Sequence, residues 1–159
     1  MEQAQKIQAI IERFPQDRSY LIRVLLAIQE ELRHVPDWAL AAAAKHLLIT
    51  TEQALEIAKR RKGIRLIVPG KYIVKVCIGA SCQLEGTDYL VEAIKRSTRV
   101  GFDATTEDGV FTIENMDCVH LCGTGPIIDW NGKCCSYITR EVWEKVAQDP
   151  DAFDQDSVK

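Results

Sequence analysis

Gly70-Lys71-Tyr72-Ile73-Val74-Lys75-Val76-Cys77-Ile78-Gly79-Ala80-Ser81-Cys82 is the stretch from which the fold of this chain is read. Its first half alternates and is rich in β-branched and aromatic residues, so Tyr72 to Cys77 predicts a strand entered through the Pro69-Gly70 turn. Its second half opens into a glycine-bearing loop with a second cysteine. A matching loop follows downstream, Cys118-Val119-His120-Leu121-Cys122-Gly123, so the cysteines form two pairs, Cys77-x4-Cys82 and Cys118-x3-Cys122. Four converging thiolates can hold an iron–sulfur cluster. Glycine in such loops lets the backbone wrap a small inorganic body and aim N–H groups at sulfur. The expectation is a redox protein.

Downstream of the first loop, Thr87 to Ser97 predicts a helix with Leu90, Val91 and Ile94 inward, and Val110 to Ile113 a strand after the Asp108-Gly109 turn. Ile127 to Trp130 and Cys134 to Ile138 flank Asn131-Gly132, a strong hairpin signal. Thr139 is placed to cap a closing helix to about Ala147, with Val142, Trp143 and Val146 toward the sheet. The order β-α-β-β-β-α describes a compact two-layer α/β unit. Cys77 then closes the first strand, Cys82 lies in the loop before the first helix, and Cys118 and Cys122 lie in the loop between the middle strand and the hairpin. If that loop folds back over the end of the first strand, all four sulfurs meet at one edge of the sheet.

Upstream, the period is helical throughout. Gln5 to Phe14 carries Ile7, Ile10, Ile11 and Phe14 on one face and stops at Pro15. Tyr20 to Leu32 repeats the pattern with Leu21, Val24, Leu25, Ile28 and Leu32, and Asp37 to Leu48 follows Pro36 with an acidic first turn suited to the helix dipole. Thr50-x-x-Gln53 reads as a capping box for a fourth helix to about Arg61, with Gly63 placed to end it. The predicted organisation is a helical bundle over 1–63, the cysteine-bearing α/β domain over 64–148, and a frayed acidic tail over 149–159.

Composition narrows the function. Of 159 residues, 47% are apolar and 27% charged, ordinary for a globular protein. The net charge of −3, with no basic cluster interleaved with aromatics, argues against nucleic acid as a partner. Lys59-Arg60-Arg61-Lys62 reads as a solvated helix end, with partner docking as the other reading. The apolar run Trp38 to Ala44 is too short for direct membrane insertion. With no export signal at its start, the expectation is a cytoplasmic protein, where six cysteines point to metal or redox chemistry rather than disulfides.

Other chemistries fit less well. Four cysteines suit tetrahedral zinc, although zinc knuckles usually use x2 spacings. The C-x4-C-x2-C run of plant-type ferredoxins and the C-x-x-C of thioredoxin-type oxidoreductases are both absent. Cys118-Val119-His120 lacks the second histidine that a Rieske centre needs, so His120 reads as a loop residue hydrogen-bonding beside the site. Cys134 and Cys135 read as small buried hydrophobes, one on each side of a strand. Gly123-Thr124-Gly125-Pro126 precedes a strand and serves as a tight turn. No catalytic triad, carboxylate pair or phosphate loop stands out.

The segment Gly70 to Cys82, with Asp117-Cys118-Val119-His120-Leu121-Cys122-Gly123-Thr124-Gly125-Pro126, the Asn131-Gly132 hairpin and Ile138-Thr139, resembles the thioredoxin-like [2Fe–2S] subunit family. That family occurs in respiratory NADH dehydrogenase (complex I) and in NAD(P)-linked hydrogenases and formate dehydrogenases. Tyr20 to Leu26 is similar to its second helix and His34-Val35-Pro36 to its turn. The family's aromatic segment before the first strand is replaced here by Leu55 to Gly63, with Arg60 and Arg61 at the aromatic positions. The resemblance implies a helical bundle followed by a thioredoxin-like domain. It implies Cys77, Cys82, Cys118 and Cys122 as ligands of one [2Fe–2S] cluster, a non-catalytic electron-transfer role, and a flavoprotein partner that binds NAD(P)H. The competing expectations are a stand-alone ferredoxin-like carrier and a structural zinc module.

Overall fold

The computed structural model describes residues 2–153 and divides the chain into two compact units, Met1–Val68 and Pro69–Lys159. The first unit holds four helices, α1 (Glu2–Ile11), α2 (Leu21–Leu32), α3 (Asp37–His46) and α4 (Thr51–Arg60), with a 3-10 turn at Arg18–Tyr20. The apolar stripes read from the sequence face inward. Ile7 and Ile11 of α1, Leu21, Val24, Leu25 and Ile28 of α2, and Leu40 of α3 are buried in one core. Small residues, Ala39, Ala43, Ala44, Ala54 and Ala58, let α3 and α4 approach closely. Thr50 and Gln53 form the full reciprocal capping box at the start of α4.

This unit runs past the change of period at Ile64. Ile64 and Leu66 pack against the helical core, and Gln29 ties the returning chain by donating to the Gly63 carbonyl (2.7 Å) and accepting from the Arg65 N–H (2.6 Å). The Arg65 carbonyl accepts in turn from the Val35 N–H at 2.7 Å. The side-chain pairing of one glutamine thus holds a segment that has no regular structure of its own.

The second unit is a five-stranded sheet in the order β2-β3-β1-β4-β5, built from β1 (Tyr72–Cys77), β2 (Ala104–Thr105), β3 (Phe111–Met116), β4 (Ile128–Trp130) and β5 (Lys133–Cys135). β1 pairs parallel with β3 and antiparallel with β4, so the crossover between β1 and β3 carries α5 (Ala80–Leu84) and α6 (Thr87–Thr98). α7 (Arg140–Gln148) closes the unit, with the Thr139 hydroxyl accepting from the Val142 N–H at its start. α6 and α7 pack on each other, and the Trp143 indole N–H donates to Ser97 Oγ at 2.9 Å. Their buried residues Leu90, Ala93, Ile94, Trp143 and Val146 join Val74, Val76, Phe111, Ile113, Ile128 and Trp130 of the sheet in one core.

Asn131 and Gly132 both have positive φ (51° and 97°), the type I′ turn that suits the twist of a two-residue hairpin. The flanking strands are shorter than the sequence predicts: β5 ends at Cys135, and the chain then turns through Tyr137 at φ 56°. The tail differs too. Pro150–Ala152 forms a 3-10 turn, Asp151 bonds Lys71 and Tyr72, and the Phe153 ring lies 4.9 Å from that of Trp130. Composition predicts fraying there, but an aromatic and a paired carboxylate dock the chain up to Phe153; 154–159 lie outside the described residues. Among the described residues, no helix is long and apolar enough to cross a membrane.

Candidate metal centre

The parallel pairing of β1 and β3 puts the ends of both strands at one end of the sheet, and both cysteine loops start there. β3 runs to Met116, longer than the sequence predicts, so Cys118 follows it after a single residue. Two backbone bonds fix the join: Cys77 N–H donates to the Ile127 carbonyl (3.0 Å) and Ile78 N–H to the Met116 carbonyl (3.3 Å). The meeting point is therefore the end of the central strands rather than a sheet edge.

Cys77 closes β1 and is fully buried. Cys82 is not in a loop. It lies on α5, a five-residue helix begun by Gly79, and is also buried. This helix is too short to leave a periodic trace in the sequence. Cys77, Cys82 and Ile127 make a small cluster of their own, with Met116 and Val119 packed against it. Burial pushes the Cys82 thiol up to about 11, helped by its hydrogen bond with Cys77 and by the negative charge Cys77 and Cys118 can carry; the backbone at Ile127 pulls the other way.

The second loop closes over the first. A Cβ added at Gly79 would lie 3.0 Å from Cys118 Cβ and 3.3 Å from its Sγ, so the missing side chain is what lets the loops touch. His120 adopts φ 61°, and its N–H donates to Cys118 Sγ at 3.4 Å. A Cβ added at Gly125 would likewise lie 3.0 Å from Glu85 Cβ and 3.4 Å from Cys82 Cα. The carbonyls of Thr124 and Pro126 accept from Tyr137 and Ile138 N–H, both at 2.9 Å, and so pin this loop to the chain after β5.

Cys77, Cys82 and Cys118 are thus brought together, and Cys122 lies exposed on the same loop as Cys118. Among the described residues, no three His, Cys, Asp or Glu side chains are grouped so as to hold a single metal ion. Thiol donors, glycine cradles at Gly79 and Gly125, and an N–H aimed at sulfur fit a two-iron cluster, which divides four thiolate ligands between two irons. Cys135 is buried in the sheet core, but Cys134 is exposed on β5, which corrects the expectation that both are buried. Sequence reasoning missed α5, and it placed Thr87 at the start of a helix without giving it a role at the site; its buried hydroxyl donates to the Cys77 carbonyl at 3.4 Å.

A helical unit followed by a small mixed sheet, with paired cysteines at the strand ends, defines an iron–sulfur protein of ferredoxin type. Residues 7–150 match the family model described as thioredoxin-like [2Fe-2S] ferredoxin, and the chain belongs to that family. As a member it carries a [2Fe–2S] cluster. The chain is 28% identical over 123 residues to the NADP-reducing hydrogenase subunit HndA of Solidesulfovibrio fructosivorans, covering 77% of this chain and 72% of that protein. It is 31% identical over 119 residues to an NADH-quinone oxidoreductase subunit of Mycobacterium tuberculosis, covering 75% of this chain but 47% of that one. The fold is similar to that of an NAD+-reducing [NiFe]-hydrogenase in its H2-reduced state, with a TM-score of 0.67 at 13% identity, covering 86% of this chain and 23% of the other.

Proposed function

We propose that this chain is the electron-transfer subunit of an NAD(P)H-linked oxidoreductase, holding one [2Fe–2S] cluster on Cys77, Cys82, Cys118 and Cys122 beside a flavoprotein subunit. The observation that carries it is the contact of Gly79 with Cys118, which joins the two cysteine loops at the ends of parallel strands. When bound, the cluster supplies one-electron storage and release, the step between a hydride-accepting flavin and single-electron acceptors.

The residues of the chain do the rest. Cys77 and Cys82 provide sulfur from a dry pocket against Ile127, which limits water access. The His120 N–H donates to the Cys118 sulfur and fixes where that sulfur points. Gly79 and Gly125 set how closely the two loops approach. That relatives are named as subunits supports a place within a complex over a free carrier. No glycine-rich dinucleotide fingerprint follows a strand, so nicotinamide binding belongs to the partner. The cytoplasm is the compartment that suits reduced thiols.

Iron and acid-labile sulfide analysis of anaerobically purified protein tests this reading. Two irons and two sulfides per chain are expected for a [2Fe–2S] centre. Serine at Cys77, Cys82, Cys118 or Cys122 should abolish or badly perturb the visible spectrum, whereas Cys134→Ser should leave it intact. A colourless protein holding zinc, or loss of the spectrum in Cys134→Ser alone, would refute it.

A further inference from the structure

Among the described residues of the second unit, four large apolar side chains are exposed, and all four lie around the cysteine loops. Leu84 is 91% exposed, Tyr89 71%, and Leu121 and Tyr137 46% each. The loops bring their positions together. Leu84 ends α5 next to Glu85, against which Gly125 packs, and the Tyr89 ring folds toward Gly86. Leu121 lies between the two downstream cysteines, and its carbonyl accepts from Thr124, whose own carbonyl accepts from Tyr137. Tyr137 is held at φ 56°, a conformation bulky residues seldom adopt, and this presents its ring beside the loop.

The charge around this surface is mostly acidic. Glu85, Asp88 and Asp117 are exposed on its flanks, and Arg140, three residues beyond Tyr137, is ion-paired with Glu144 at 2.9 Å. The chain has no Lys or Arg from Val76 to Ile94 or from Asn115 to Gly132. An apolar centre within a charged rim is the anatomy of a protein interface, and contiguous exposed apolar side chains mark such sites. Resting on the function proposed above, we infer that Leu84, Tyr89, Leu121 and Tyr137 form the docking surface for the redox partner. The acidic rim commits that partner to a protein face with an apolar centre ringed by Lys and Arg.

Electron transfer to a cytochrome c, whose haem edge is ringed by lysines, serves as the probe. The full chain is loaded with iron and sulfide, reduced and mixed with ferric cytochrome; one electron leaves the chain, haem iron passes from ferric to ferrous, and no bond or proton is exchanged. The rate should fall about tenfold from low to physiological ionic strength, and Glu85→Gln with Asp88→Asn should flatten that dependence. Leu84→Ser with Tyr89→Ser should slow the cytochrome reaction about tenfold. The same variant should react with ferricyanide, a small anion needing no docked face, as fast as the parent. Leu48→Ser, at an exposed position on the helical unit, should change neither rate. Cytochrome rates within twofold of the parent in the Leu84/Tyr89 variant, equal slowing by Leu48→Ser, or an unaltered salt slope in the Glu85/Asp88 variant would overturn the docking surface while leaving the cluster assignment standing. Failure of the parent chain to bind iron and sulfide would instead refute the cluster assignment, and this inference with it.

Discussion

A thiol held up to about 11, as at Cys82, keeps its proton through a range where the same thiol in an unfolded chain, near its ordinary value of 9.0, has lost it. The native state of the metal-free protein binds the proton more tightly, so this contribution to stability is full below about pH 9 and disappears as the pH rises through about 11. The loss is at most about 3 kcal/mol for a shift of this size. Denaturant midpoints of the metal-free chain at pH 8 and pH 11 should show the drop, and Cys82→Ser should reduce it; an unchanged drop would place its origin elsewhere. Iron uptake must displace the same proton, so loading should be favoured at alkaline pH. The cause is the dry wall formed by Ile127 and Cys77, which no reading of spacing reveals.

Among the elements, α5 carries the clearest test. Gly79 has φ −64° and ψ 152°, which alanine adopts freely, so Gly79→Ala tests space alone. Its methyl would press on Cys118, an overpacking cost of about 1–3 kcal/mol directed at the cysteine loops. Helix content and melting temperature should stay close to the parent while iron and sulfide content falls. Gly101→Ala, with nothing within 4 Å, should do neither. Full loading of Gly79→Ala would mean that the loops need not approach so closely. At the other end of the sheet, Phe153→Ala should lower the melting temperature by about 5 °C, because its ring packs on Trp130; an unchanged melting curve would show that docking to be energetically idle. β1, the Thr50 capping box and the Asn131-Gly132 turn were legible because each carries its local physics in adjacent residues. α5, two-residue β2 and the Pro150–Ala152 turn were not, since all three are too short for periodicity and are held by contacts distant in the chain. Of the candidate site, the loops and the meeting of Cys77, Cys82 and Cys118 were readable. The burial of one pair and the exposure of the other depend on the sheet.

Among the described residues, the helical unit and the sheet unit have separate main cores, one from Ile7 to Leu66 and one in the sheet, with the small cluster of Cys77, Cys82 and Ile127 also in the sheet unit. A chain beginning at Ile64 should therefore still bind two irons with the parent's spectrum. We expect it to lose its place beside the flavoprotein, measured by co-elution; full stoichiometry would show that the helices are not a docking element. The parallel strands β1 and β3 also impose an order on biosynthesis. Cys77 and Cys82 leave the ribosome as a lone dithiol, and the strand that brings their counterparts cannot pair until the entire crossover has been made. The 40 residues from Cys82 to Cys122 take about 2–8 s to synthesise at ordinary elongation rates. For that interval the nascent chain offers half a centre to any stray metal or oxidant, and slower translation lengthens it in proportion.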